Sequence, residues 1–387
     1  MRAGTSGDAV GLLRLILALS VVIAHVPGLT VPVMTGGAVS VQCFYIISGF
    51  FIAMILNEKY VGPSDKYLFY SNRFLRIFPL YWTFLVLAFV VGIAAYAVAH
   101  KGALAIWYDN WSRLSPIDVS FLTFTNLLLF GQDQIALLGL GRSGLEWTTQ
   151  FDLSDPDVFK FLFVPQGWSL SLELVFYLLA PFIVRRSLWT IGLVAAAGLT
   201  ARTVAHIIGL QFDPWSYRFF PFELSVFLAG ALSYRLGERF KEATLPRILK
   251  ISAFGVIPAV ILFPLYDAGT AIFFTGSRIG LFAYLVVALP VLYRLTRDAD
   301  WDRIAGDLSY PVYLCHLIPI QLLQGSGILA PHTSTRAVLA VASSVTLAAV
   351  ATKFVEMPLN KFRQSRVVAG RARRTELDLK RERAFAQ

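Results

Sequence analysis

Residues 38–57 read AVSVQCFYIISGFFIAMILN, twenty positions without one charged side chain. As a helix at 1.5 Å per residue this run is ~30 Å long, the thickness of the hydrocarbon core of a bilayer. A helix at the surface of a soluble domain needs one polar face, and this one has none. The texture repeats outward in both directions. Ten segments predict helices of this kind: about 10–28, 38–57, 76–98, 168–184, 188–208, 219–235, 250–266, 271–293, 308–325 and 336–356. The expected fold is all-α, a polytopic transmembrane bundle of about 10 membrane helices.

Composition agrees. The chain has 387 residues, 56% of them hydrophobic and 15% charged, with mean hydropathy +0.64. Soluble domains carry ~25% charged residues. Apolar runs follow one another from Leu12 to Val355 with no long polar linker, so one membrane domain is expected over 1–360, followed by a basic cytoplasmic tail over 361–387. The N-terminal stretch, with Arg2 and Arg14 ahead of a short apolar run, has no small-residue cleavage site and reads as the first membrane helix rather than a signal peptide. Cys43 and Cys315 both sit in apolar runs and make no disulfide framework.

The net charge of +10 would raise nucleic acid as a partner in a soluble chain. Here the cations gather in short loops and the tail, no nucleic-acid motif accompanies them, and topology and anionic lipid account for them. With the N-terminus cytoplasmic, the cytoplasmic connections hold Lys59, Lys66, Arg73 and Arg76, then Arg185 and Arg186, then Arg235 to Lys250, then Arg294 to Arg303. The opposite loops 29–37, 209–217, 267–270 and 326–335 hold no Lys or Arg. Both termini are therefore expected inside. Residues 99–167 form a long connection on the other side, and its semi-apolar piece Phe121 to Phe130 is expected as a re-entrant or interfacial helix. Whether 118–140 crosses is not decided by the sequence.

Ionisable residues within membrane helices usually face a cavity or a partner. Arg14 and His25 are eleven positions apart on the first helix, three turns plus about 20°, hence on one face and ~16 Å apart. Periodicity alone reads His25 equally as a base in a cavity or as a side chain bonded to a backbone carbonyl. Arg73 and Arg76 share a face at a helix mouth, where paired guanidinium groups suit phosphate; taken alone, an interfacial anchor explains them better. Ser48-Gly49 reads first as a pair allowing close helix approach. Glu173, one turn into a helix that opens at Trp168, and Glu223 are each expected to have a cationic partner, with Arg278 available to either. Tyr313 and His316 share a face. No metal-ligand pattern is present.

In this order the features resemble the acyltransferase-3 family of integral membrane acyltransferases. The likeness rests on Arg14 with His25, on Phe44 to Phe50 as a counterpart of an FFxxSGF-like motif, and on Arg73-x-x-Arg76. It continues through Trp168-Ser169-Leu170 to Glu173, Ser309-Tyr310 to His316, and Glu356-Met357-Pro358, covering residues 10 to 360. Two positions depart from the family pattern: the first helix reads Gly11-Leu12-Leu13-Arg14-Leu15, and Tyr45 stands where Phe is usual. No fused extracytoplasmic domain is read after the last helix.

The resemblance implies an O-acetyltransferase of the bacterial inner membrane, moving an acetyl or other short acyl group from cytoplasmic acyl-CoA to a hydroxyl of a cell-surface or exported glycan. It places His25, Arg14 and Glu173 at the catalytic centre and Arg73, Arg76 and Ser48 with the acetyl-CoA donor. Tyr310, Tyr313, His316 and Trp168 fall to the glycan or lipid-linked sugar acceptor. Acetyl is the default donor group and succinyl the variant; His25 as base or as acyl carrier is left open. The competing class is a transporter or flippase for a sugar or lipid-linked glycan, against which stand the absence of an internal repeat and the paired arginines. A purely structural membrane subunit leaves the intramembrane charges without a use.

Overall fold

The computed structural model describes residues 10–29, 34–62, 65–267, 275–325 and 334–370. Residues 1–9, parts of four loops and the tail beyond Gly370 lie outside them. Every segment expected to be helical is helical where it is described: α1 (Gly11–Ala24), α2 (Gly36–Glu58), α3 (Asp65–Ala99), α4 (Ala103–Asp109), α5 (Pro116–Leu128), α6 (Trp168–Ile183), α7 (Leu188–Ile207), α8 (Phe220–Glu238), α9 (Arg247–Phe254), α10 (Val256–Ile261), α11 (Gly276–Thr296), α12 (Asp300–Cys315), α13 (Leu317–Gly325) and α14 (Ser334–Ala351). Among the described residues, six helices are long and apolar enough to cross a membrane. Of the other four expected spans, α8 is a continuous 19-residue helix and the remaining three are short or broken. α1 has 14 residues, the 250–266 segment breaks at Gly255 between α9 and α10, and the ninth turns at His316 between α12 and α13.

The centre of the bundle is the contact between α2 and α8. A Cβ on Gly49 would lie 1.8 Å from the Phe227 carbonyl oxygen, and one on Gly230 would lie 1.9 Å from that of Ile46. Two glycines thus bring backbone against backbone, the close approach that Ser48-Gly49 predicts. Beside it, Glu223 is wholly buried on α8 and pairs with Arg202 of α7. Gln42 of α2 donates to both Glu223 carboxylate oxygens, at 3.1 and 3.3 Å. Arg278 pairs instead with Asp267, at 3.8 Å. The expectation that Arg278 serves Glu173 or Glu223 is corrected here: Arg202, in the middle of an apolar helix, is the cation that Glu223 has.

α1 packs on α12 with its first turn capped from outside. The Asp302 carboxylate accepts from the Gly11 and Leu12 amides, both at 2.8 Å, placing an anion at the positive end of the helix. Residues 99–167 fold as an excursion with its own small core of Leu122, Ile135, Leu140, Val158, Phe161 and Leu162. α5 starts there with a capping box, Ser115 with Asp118, and Pro116 in its first turn. At 13 residues it is ~20 Å long and falls short of a bilayer's core. A hairpin of β1 (Leu138–Leu140) and β2 (Leu145–Trp147) pairs Leu138 with Trp147.

Past α14 the helix continues. A π-helical stretch, Thr352–Glu356, interrupts it, and the turns resume to Gly370, so that Thr335–Gly370 is one 36-residue rod. Residues 361–370, the start of the basic tail and read there as a solvated or interfacial helix, are helical and continue this rod.

Candidate active site

A cavity of about 300 Å³ opens between α2, α3, α6, α12 and the rod beyond α14. Its wall follows one face of α2 from Val41 through Tyr45, Ser48 and Ile52 to Lys59. Eighteen residues of helix rise make that wall ~27 Å long, so the cavity runs most of the way through the bundle.

The cavity is graded along its length. At the Lys59 end are Arg73, Arg76 and Arg363. Among the lining residues five are cationic, these four and Arg14, against one carboxylate, Glu173. Arg73 and Arg76 share a face of α3, as their spacing predicts, yet their situations differ. Arg76 is bonded to Glu356, at the end of the π-helical stretch, and stands 5.7 Å from the Tyr310 ring. Arg73 meets only the rings of Phe69 and Tyr177, at 6.0 and 5.8 Å, and its buried Nε has no partner among the described residues.

In the middle, the Ser48 hydroxyl donates to Glu173 at 2.6 Å, and the Tyr177 hydroxyl donates to the same carboxylate oxygen. At the far end the Tyr313 hydroxyl lies 2.5 Å from Ser169 Oγ and 3.1 Å from the Gln166 carbonyl. Tyr310 also lines the cavity, its hydroxyl held by the Ile77 carbonyl at 3.0 Å.

Two histidines stand beyond Tyr313 and outside the cavity wall. His316 is fully buried, and its Nδ1 lies 2.6 Å from the Tyr313 carbonyl. His25 caps the end of α1 with Nδ1 at 2.8 Å from the Val21 carbonyl. Carbonyl oxygens only accept, so each Nδ1 carries the proton and each neutral ring keeps its lone pair on Nε2. The rings are 4.9 Å apart. His316 Nε2 has no partner among the described residues, and His25 is exposed. The Nδ1–carbonyl bond is the second of the two sequence readings of His25. Arg14 lines the cavity, whereas His25, at the other end of α1, does not.

Trp168 is not in the cavity either. Its ring lies under the Arg218 guanidinium at 4.2 Å. Arg218 is also held by Asp213, through Nε at 2.8 and 2.9 Å, and by the Tyr217 hydroxyl at 2.8 Å. Sequence reading gave Arg218 and Asp213 no role. Their signal is a cation and an anion among Trp215, Tyr217, Phe219 and Phe220 in a loop otherwise bare of Lys and Arg. In the sequence Arg363 is one basic residue of a basic tail, and its helical spacing from Asn360 and Val367 is the signal that it shares a face with them.

A sequence model described as an acyltransferase domain matches residues 8–353. The chain is 26% identical to the exopolysaccharide production protein ExoZ of Rhizobium meliloti (strain 1021), over 88% of this chain and 95% of that protein. It is 22% identical to a protein named "Putative O-acetyltransferase SACOL0978" of Staphylococcus aureus (strain COL), over 90% of this chain. The match spans 56% of the length of that staphylococcal relative. No solved structure gives a match. With a bundle of membrane-length helices around a deep cationic cavity, and a family match over nearly its whole length, the chain belongs to the acyltransferase-3 family and is a membrane acyltransferase.

Proposed function

We propose that this enzyme transfers an acetyl or other short acyl group from cytoplasmic acyl-CoA to a hydroxyl of an exported or cell-surface glycan, as an O-acetyltransferase of the bacterial inner membrane with both termini cytoplasmic. The carrying observation is the graded cavity. Its cationic end suits the phosphates of a CoA, its narrow length suits the pantetheine arm, and its far end stops at Tyr313, directly before the two histidines. Names of relatives, an exopolysaccharide production protein and O-acetyltransferases, agree with a glycan acceptor.

In this reading Arg73 and Arg76, with Ser48 further in, belong to the donor side, and Glu173 orients Ser48 and Tyr177 along the arm. The thioester reaches the Ser169–Tyr313 end. Movement of the Tyr313 ring lets the carbonyl carbon meet the acceptor hydroxyl beside His25. His25 Nε2 takes the proton of the acceptor hydroxyl as the new O–C bond forms. The C–S bond breaks, and the CoA thiolate leaves with the proton that His25 Nε2 took. His316 and Trp168 border the acceptor side, where an aromatic ring offers a sugar a flat face.

The test is a titration of acetyl-CoA into the purified full chain in detergent, for wild type and for Arg73→Ala/Arg76→Ala, followed by transfer of labelled acetyl to a membrane glycan fraction. Binding lost in the double variant and transfer lost in His25→Ala support the proposal. A well-folded wild type that binds no acyl-CoA but exchanges a sugar across proteoliposomes would replace it with transport.

A further inference from the structure

The rod beyond α14 contributes one face to the cavity. Asn360, Arg363, Gln364, Val367 and Val368 all line it, at i, i+3, i+4, i+7 and i+8, the spacing of a single helical stripe. The rod is fixed at this spot. Arg366 donates to Asn72 Oδ1 at 3.1 Å and to Ser71 Oγ at 2.8 Å, the two residues immediately before Arg73. Arg363, on the turn before Arg366, therefore faces the cavity in the neighbourhood of Arg73.

The cations at this end are not equivalent. Arg76 is engaged by the Glu356 carboxylate. Arg73 and Arg363 have no carboxylate partner among the described residues: Arg73 touches rings, and Arg363 donates from Nη2 to Asn360 Oδ1 at 2.5 Å. Two such guanidinium groups beside one cavity repel each other unless an anion lies between them. Guanidinium forks suit phosphate oxygens in particular.

We infer that Arg363 of the C-terminal rod, together with Arg73, forms the phosphate clamp for an acyl-CoA, and that Arg76 positions the rod through Glu356 instead of gripping the donor. This rests on the acyl-CoA reading above and changes which residues the clamp contains. The pair suggested by sequence spacing, Arg73 with Arg76, becomes a pair from two distant segments. An anionic lipid headgroup offers the same phosphate chemistry, so the experiment separates the two sources.

The purified full chain is titrated with acetyl-CoA and with S-acetylpantetheine, which lacks the nucleotide and its phosphates, for wild type, Arg363→Ala, Arg363→Lys and Arg76→Ala. Expected for Arg363→Ala is a loss of acetyl-CoA affinity of about ten- to a hundredfold, the range for a charge-assisted hydrogen bond. Arg363→Lys recovers part of it, and S-acetylpantetheine binds alike to all folded variants. Acetyl-CoA binding unchanged in Arg363→Ala overturns the clamp while leaving the donor reading intact. The same result with loss of co-purifying phosphatidylglycerol assigns Arg363 to a lipid headgroup and also overturns it. A folded wild type that binds no acyl-CoA removes the donor reading, and this clamp with it.

Discussion

The imidazole rings of His25 and His316 stand 4.9 Å apart, each with its Nδ1 proton held by a carbonyl of its own chain segment. Neither ring lines the cavity. Binding and chemistry should therefore separate in His25→Ala: turnover falls by about 10²- to 10⁴-fold, the usual worth of a positioned base, and acetyl-CoA affinity holds. Titration and a transfer assay on the same preparation read the two quantities. Loss of both together would put His25 in the donor site. Initial-rate patterns add the mechanism, since an acyl-imidazole intermediate gives ping-pong kinetics and a base gives a ternary complex.

Gly49 and Gly230 make a second prediction, about the fold. Each lies where a Cβ would intrude on the backbone of the facing helix, at 1.8 and 1.9 Å. Backbone cannot rotate aside as a side chain can, so Gly49→Ala and Gly230→Ala each force α2 and α8 apart. Overpacking of a filled core costs about 1–3 kcal/mol, and a clash with main chain belongs at or above the top of that range. Thermal unfolding in detergent should show a fall for either variant. Gly276→Ala, with open space around its Cβ position, is the control that stays near wild type.

Arg202 and Glu223 are 2% and 0% exposed, and Gln42 completes the set. Arg202→Met leaves a carboxylate without its cation in the protein interior. That kind of break costs about 3–5 kcal/mol, whereas replacing both partners by apolar residues is often neutral. Arg202→Met is thus expected to be poorly folded, and Arg202→Met/Glu223→Leu to regain most of the loss. Comparing the monodisperse yield of both variants is enough. Equal damage in single and double variants would mean that Glu223 has a role beyond the pair.

The membrane character, the helical segments and the family were legible because they depend on local texture: twenty uncharged residues at 38–57, or a Ser-Gly pair on a helix. What the sequence left open is what distant segments decide. Arg14 and His25 share a face of one helix by periodicity, yet neighbouring helices give one to the cavity and the other to His316. A linear reading offers Arg278 to Glu223 and passes over Arg202. Only the packing of α7 on α8 selects Arg202. The segment from 361 onward reads as a basic, solvated or interfacial tail by charge, because the stripe that includes Arg363 shows as a cavity wall only once α3 is beside it.

The same packing separates the two arginines that spacing made look alike. Arg76 and Glu356 form an ion pair across 280 positions, with side chains 15% and 5% exposed, while Arg73 meets only rings among the described residues. Arg76→Ala strands a nearly buried carboxylate and should lower the thermal midpoint of the protein. Arg73→Ala strands nothing and should leave the midpoint within about a degree or two, consistent with a change under ~0.5 kcal/mol. Donor binding should follow the opposite order, with Arg73→Ala the weaker binder and its residual affinity less sensitive to added salt, because one phosphate contact has gone. Midpoints and acetyl-CoA titrations at two ionic strengths distinguish the cases. If Arg76→Ala keeps its midpoint and loses acetyl-CoA, then Arg76 grips the donor and the Glu356 pair is not what holds the rod to α3.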